Sequence, residues 1–173
     1  LVLTGSVQSL SQGIFESVAA LTTTNATIIP TPDSLSRGLQ LWRCLLGWIG
    51  GAGFLLAAAT IFPMLSISGM HIFNPLSSET HTIQIRMGHT SAWVFMIYLA
   101  LTAILFIVLK QENMTGFEAF CYALSTISLS GFSIHDQSIN FYNSPLIEST
   151  LIVIMLMAGL PYHLYLRLSK RDF

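Results

Sequence analysis

Between Ser91 and Leu109 the chain runs through an unbroken apolar stretch that contains no Asp, Glu, Lys, Arg or His. A helix crosses a bilayer with about 20 mainly apolar residues. Two more stretches meet that length, one from about Gly38 to Leu65 and one from about Pro145 to Leu166. Of the 173 residues 53% are hydrophobic and only 9% charged, whereas soluble domains carry roughly a quarter charged residues. So few charges cannot clothe a soluble globule, and the apolar surface must face lipid. A net charge of -1 supplies no basic face for nucleic acid, which is excluded as a partner.

The Gly38–Leu65 stretch would be roughly 40 Å long as a helix, so it must tilt, bend or project beyond the hydrocarbon. Gly47, Gly50, Gly51 and Gly53 near its middle permit close helix contact or a break. Cys44 and Cys121 lie in apolar surroundings and read as packing residues rather than a disulfide or metal pair. The chain opens on Leu1 with no cleavable signal peptide, as expected where the natural beginning lies upstream.

Arg167, Lys170 and Arg171 follow the third span and Arg86 lies between the first two. The positive-inside rule puts both segments in the cytoplasm. The first and third spans then run inward and the second outward. That orientation places Asp33, Glu112, Asp136 and Glu148 in the outer connections, with Glu16 and Glu118 just before them. Arg37, Arg43 and Lys110 only partly offset these acids, and a negative vestibule concentrates cations.

Two segments are too short to span. Ile14–Leu21 is followed by Thr22-Thr23-Thr24-Asn25-Ala26-Thr27, and Phe117–Leu124 by the run Ser125 to Ser133. Each opens as an apolar helix of about three turns and becomes a run of small hydroxyl residues with poor helix propensity. Re-entrant half-helices followed by extended backbone have this form, and membrane interiors accept them only where they line a watery cavity. Carbonyl and hydroxyl oxygens there replace the hydration shell of K⁺ or Na⁺, and the negative helix C-terminus favours a cation. Setting Asn25 against Gly131 aligns the two as an internal repeat.

These residues resemble the Trk/Ktr/HKT superfamily of potassium transporters, specifically the bacterial Trk-type membrane subunit. The resemblance is carried by "FESVAALTTTNAT" (15–27), "LWRCLLGWIGGAGFLLAAATIFPML" (41–65), "SGMHIF" (68–73) and "FEAFCYALSTISLSGFSIHDQSI" (117–139). It implies an all-α integral membrane fold of span–pore loop–span repeats, with three transmembrane helices and two re-entrant pore half-helices in this chain. Residues 1–65 would hold the pore loop and inner helix of a first repeat, 66–90 a cytoplasmic connection, and 91–173 a complete second repeat. The family's chain holds four such repeats, so a second copy or the missing repeats would complete the pore.

By the same resemblance the first filter strand is Thr23, Thr24, Asn25 and Ala26, and the second Leu129, Ser130, Gly131 and Phe132. K⁺ would be held by the backbone carbonyls of Thr24, Asn25, Ser130 and Gly131, with Na⁺ as the second candidate ion. Asn25 stands where the family's first repeat usually has glycine. Asn tolerates left-handed backbone better than most residues, but its amide adds bulk to the ion path. The expected function is potassium uptake across the bacterial cell inner membrane by a multi-pass protein that is not an enzyme. A cytosolic nucleotide-binding regulatory subunit would dock on its inner face.

Arg43 either pairs inward, with Glu16 or a pore-loop carbonyl, or snorkels to the interface. His163 is expected to pack or sit at the interface, and His135-Asp136 to cap an outer loop. An intramembrane hydrolase would need Ser133 beside His163, but no Gly-x-Ser-x-Gly elbow frames the serine. A solute channel built on paired Asn loops lacks a counterpart of Asn25 in the second copy. A truncated, non-conducting remnant is the main alternative.

Overall fold

The computed structural model describes Val7, residues 9–70 and residues 80–160, with the backbone alone for 59–70 and 80–90. The described residues are helical and contain no strand. Helices α1 (Leu10–Leu21), α2 (Arg37–Met70), α3 (Thr80–Gln111), α4 (Gly116–Ile127) and α5 (Pro145–Ala158) follow in order, with short 3₁₀ turns at Pro32–Ser34 and Ser138–Tyr142.

Local chemistry explains the starts. Thr115 caps α4 through a capping box in which its hydroxyl accepts from the Glu118 N–H while the Glu118 carboxylate takes the Thr115 N–H. Ser9 caps α1 by accepting from the Gln12 N–H, and Pro145 opens α5, where a missing N–H costs nothing. The apolar windows Arg37–Ala58 within α2 and Ser91–Gln111 within α3 are long and apolar enough to cross a membrane. Two of the expected spans therefore have helices of sufficient length. The described part of the third is the shorter helix α5, and the remainder of the expected span, with His163 and the basic residues after it, lies outside the described residues.

Expectation and structure differ at two places. Helix α2 runs unbroken through its glycines, so they make no break, and two of them, Gly47 and Gly50, serve close contact. Helix α4 continues through Ser125, Thr126 and Ile127, residues expected to begin the irregular run. Burial overrides propensity here, since these three are buried and the Ser125 hydroxyl finds a partner beyond the helix.

The described residues group into two compact units, one comprising residues up to Gly51 with Ala100–Leu160, the other Ala52–Leu99. In the first unit the usual pattern of a soluble protein is inverted. Glu16, Arg43 and Ser130 are at most 2% exposed, while Trp42, Ile104, Ile152 and Leu156 are each more than half exposed. Large apolar side chains outside and charged ones inside are the arrangement of a chain solvated by lipid. The other unit also turns apolar side chains outward, with Phe54, Trp93 and Met96 exposed.

Candidate functional site

The two half-helices of the first unit end alike. After α1, the Thr24 N–H donates to the Ala19 carbonyl and the Thr23 N–H to the Ala20 carbonyl. After α4, the Ser130 N–H donates to the Ser125 carbonyl and the Leu129 N–H to the Thr126 carbonyl. This crossed pair of bonds is the Schellman ending, which needs a left-handed residue just past the cap and usually takes glycine there. Here it takes Thr23 at φ 54° and Leu129 at φ 54°. A β-branched threonine in that region is a genuine outlier, and each such residue costs on the order of 1–3 kcal/mol that the surroundings must offset.

Two residues further on the left-handed conformation recurs, at Asn25 (φ 58°) and Gly131 (φ 71°). The register set by pairing Asn25 with Gly131 thus matches both left-handed positions, Thr23 with Leu129 as well. The carbonyls of Thr24, Asn25, Ser130 and Gly131 accept no hydrogen bond among the described residues. Asn25 and Gly131 are exposed, and both line a cavity of about 360 Å³ whose wall also includes Thr27, Arg43, Phe132 and His135.

The last residue of each expected strand sits differently. Phe132 is buried, and its carbonyl accepts from the Ser125 hydroxyl at 2.7 Å. Ala26 is half-buried. The Ser130 side chain is fully buried and hydrogen-bonds back to Ser125, so its hydroxyl serves the fold while its carbonyl stays free.

One face of α2 braces both hairpins, through Gln40, Arg43, Gly47 and Gly50, spaced by three and four residues as one helical face requires. The Gln40 amide donates to the carbonyls of Pro32 and Ile134, one from each loop. At Gly47 a Cβ would lie 2.8 Å from the Ser130 Oγ, and at Gly50 it would lie 1.8 Å from the Leu21 carbonyl oxygen. These two glycines are the close contacts that let α2 lie against the ends of both half-helices.

Arg43 pairs inward. Its guanidinium meets Glu16 Oε1 at 2.7 Å, with both side chains almost wholly buried. It also donates to Thr27 Oγ1 at 3.0 Å and lies 4.7 Å above the centre of the Phe132 ring. Glu16 accepts in addition from the Thr27 hydroxyl and the Ile28 N–H. A charge this deep is tolerated because it is paired and multiply hydrogen-bonded. The pairing corrects one expectation: Glu16 is consumed inside the fold and adds no negative charge to a vestibule. Glu118 is likewise engaged in the α4 cap, and Glu112 accepts from the Thr150 hydroxyl.

The loops beyond the strands are clasped reciprocally. The Asp33 N–H donates to Asp136 Oδ1 and the Asp136 N–H to Asp33 Oδ2, while His135 Nδ1 lies 2.8 Å from Asp33 Oδ1. The Asp136 N–H and, after it, the His135 imidazole hold the Asp33 carboxyl below its usual range. His135 also stacks on Phe141 at 3.9 Å. His135-Asp136 therefore joins two loops instead of merely capping one. The Ser133 hydroxyl is engaged by Tyr122 and the His135 carbonyl. Cys44 and Cys121 are buried free thiols, as expected, and no cluster among the described residues could hold a metal ion.

Sequence reasoning missed Gln40, Ser125 and Asp33 as bracing residues. Gln40 and Asp33 join segments about a hundred positions apart and leave no local signal, whereas the Ser125 bond to a carbonyl seven residues on reads in sequence as one more hydroxyl in a polar run.

An all-helical chain with lipid-facing apolar helices and two matched half-helix-and-strand units belongs to the class of helical membrane transport proteins. Residues 2–171 match the family described as TrkH, cation transport protein, and the chain belongs to that family. It is similar to the Trk system potassium uptake protein TrkH of Salmonella typhimurium, with 32% identity over 163 residues, covering 92% of this chain and 34% of the relative. The Trk system potassium uptake protein TrkI of Halomonas elongata is 32% identical over 172 residues, covering 98% of this chain and 35% of the relative. The crystal structure of the potassium transporter TrkH from Vibrio parahaemolyticus superposes with a TM-score of 0.79 at 30% identity, over 95% of this chain and 32% of that one. The chain thus spans about a third of the length of these relatives.

Proposed function

We propose that this chain contributes two filter strands to a potassium-uptake pathway across the bacterial cell inner membrane. The observation that carries the reading is the matched pair of strands after α1 and α4, left-handed at every second residue and bearing carbonyls with no hydrogen-bond partner among the described residues. Unsatisfied carbonyls at membrane depth are costly unless an ion or water meets them. A strand that is left-handed at every second residue turns its carbonyls away from the fold's own donors, and a ring of such oxygens replaces the hydration shell of K⁺. Thr24, Asn25, Ser130 and Gly131 supply the carbonyls. Thr23 and Leu129 turn the chain out of each helix, while Ala26 and Phe132 end the strands.

In this reading α2, α3 and the segment beginning with α5 cross the membrane, and α1 and α4 are re-entrant. The negative C-terminal ends of α1 and α4 stand just before the carbonyls and favour a cation. Asp33 and Asp136, both exposed, give the outer mouth its negative charge. The remaining sides of the pore come from further repeats or a second copy, for which the exposed apolar face of α1 (Leu10, Ile14, Val18) offers packing surface. A cytosolic nucleotide-binding regulator is the expected partner on the inner side.

The test is growth of K⁺-uptake-deficient cells at low K⁺, with Rb⁺ uptake measured beside it. The full-length polypeptide containing this chain should restore both. Gly131→Asp, which puts a side chain at φ 71° against Asn25, should abolish both while still inserting. Restoration that survives Gly131→Asp unchanged would remove the filter from this position.

A further inference from the structure

We infer that the Asn25 carboxamide lies across Gly131 as a constriction in the ion path and sets the rate at which alkali cations pass. The inference rests on the filter reading above and goes further by assigning rate control to one side chain.

Asn25 and Gly131 occupy equivalent places in the two strands and share the left-handed backbone, at φ 58° and 71°. A Cβ built on Gly131 would stand 2.8 Å from Asn25 Nδ2, 2.9 Å from its Cγ and 3.4 Å from its Cβ. The volume that a side chain at 131 would enter is already filled by the side chain of 25. The two strands have room for one side chain at this level, and Asn25 holds it.

The carboxamide is not committed to the fold. Structural asparagines use their two donors and two acceptor lone pairs, yet this amide makes no hydrogen bond among the described residues. The residue is exposed and borders the cavity of about 360 Å³ that Gly131 also lines. Bracing of the two hairpins runs instead through Gln40, Arg43 and Asp33. An uncommitted polar group lying on the neighbouring strand's glycine, beside carbonyls without partners, obstructs whatever those carbonyls pass. An ion crossing this level must wait for the amide to turn aside, and that delay adds to the barrier of every crossing.

The experiment measures initial Rb⁺ uptake in K⁺-uptake-deficient cells expressing the full-length polypeptide, normalised to the amount inserted. Asn25→Gly should raise the maximal rate about tenfold, which corresponds to about 1.4 kcal/mol, and Asn25→Ala should fall between it and the native residue. Asn25→Leu, of similar size, should stay at or below the native rate. Gly131→Ala should be slow, and Asn25→Gly/Gly131→Ala should be faster than Gly131→Ala alone, because the added methyl then has space. The inference is overturned if both Asn25→Gly and Asn25→Ala stay within twofold of the native rate, or if the double variant is no better than Gly131→Ala. Should Asn25→Gly fail to insert, Asn25→Ala decides. If the native chain carries Rb⁺ and these variants do not differ, the constriction alone fails. If no version carries Rb⁺ although all insert, the potassium reading fails and the constriction with it.

Discussion

Glu16→Gln tests whether the buried Glu16–Arg43 pair holds the first strand in place. The substitution keeps the shape and removes the charge. Arg43, 2% exposed, is then left without a counter-ion 2.7 Å away, although its contact with the Phe132 ring persists. Removing one partner of a buried pair costs about 3–5 kcal/mol. The Gln carbonyl still accepts from Thr27 or Ile28, which places the expected loss near the lower end, about 3 kcal/mol. That is a large share of a total stability of about 5–15 kcal/mol. The assay is reversible unfolding of the purified full-length protein in mixed micelles. The double variant Glu16→Gln/Arg43→Met removes both charges and should lie within about 1 kcal/mol of the native protein, since replacing a whole buried pair is often neutral. Rb⁺ uptake of the single variant should fall too, because Thr27 and Ile28, held by Glu16, directly follow the strand. A loss below about 1 kcal/mol for Glu16→Gln, or strictly additive effects in the cycle, would refute the reasoning.

Gly50→Ala should prevent stable assembly, since the new methyl would overlap the Leu21 carbonyl oxygen and backbone must move on one side; overpacking of this kind costs about 1–3 kcal/mol or more, and detergent-extracted protein should elute as aggregate. Gly53→Ala, with nothing within 4 Å of its Cβ position, is the neutral control. Thr115→Ala removes the α4 cap and should cost about 1 kcal/mol in the same unfolding assay. The Asp33 carboxyl is held below its unfolded value of 3.8, so its contribution is complete above that value and is lost as the pH falls through the lower folded one. Amide exchange at Asp136, whose N–H the Asp33 carboxylate accepts, corrected for its intrinsic pH dependence, should therefore stay protected at pH 5 and open only in strong acid. Opening near neutral pH would show that another group controls the clasp.

Much of the scaffold is legible in the residues alone. The charge-free run from Ser91 to Leu109 can be little other than a helix in lipid, and α3 covers it. The two short apolar segments become α1 and α4, and Gly131 announces a left-handed position. For Arg43 the sequence leaves both pairing and snorkelling open, because one sequence does not reveal which way a helix face turns. The left-handed backbone at Thr23 and Leu129 is not legible in the sequence. Local preference argues against a left-handed threonine or leucine, and only the crossed hydrogen bonds to the helix ends impose that conformation.

Sequence by itself settled which segments are long apolar helices and which are short ones, because apolar content, charge scarcity and capping act over a few neighbouring residues. Tertiary structure alone decided that Glu16 turns inward to Arg43 and that Asp33 clasps Asp136 across 103 positions. It also decided that Asn25 comes to rest on Gly131. Those outcomes depend on which distant segments share a wall of α2, where Gly47 and Gly50 leave room for them. No local propensity carries that information.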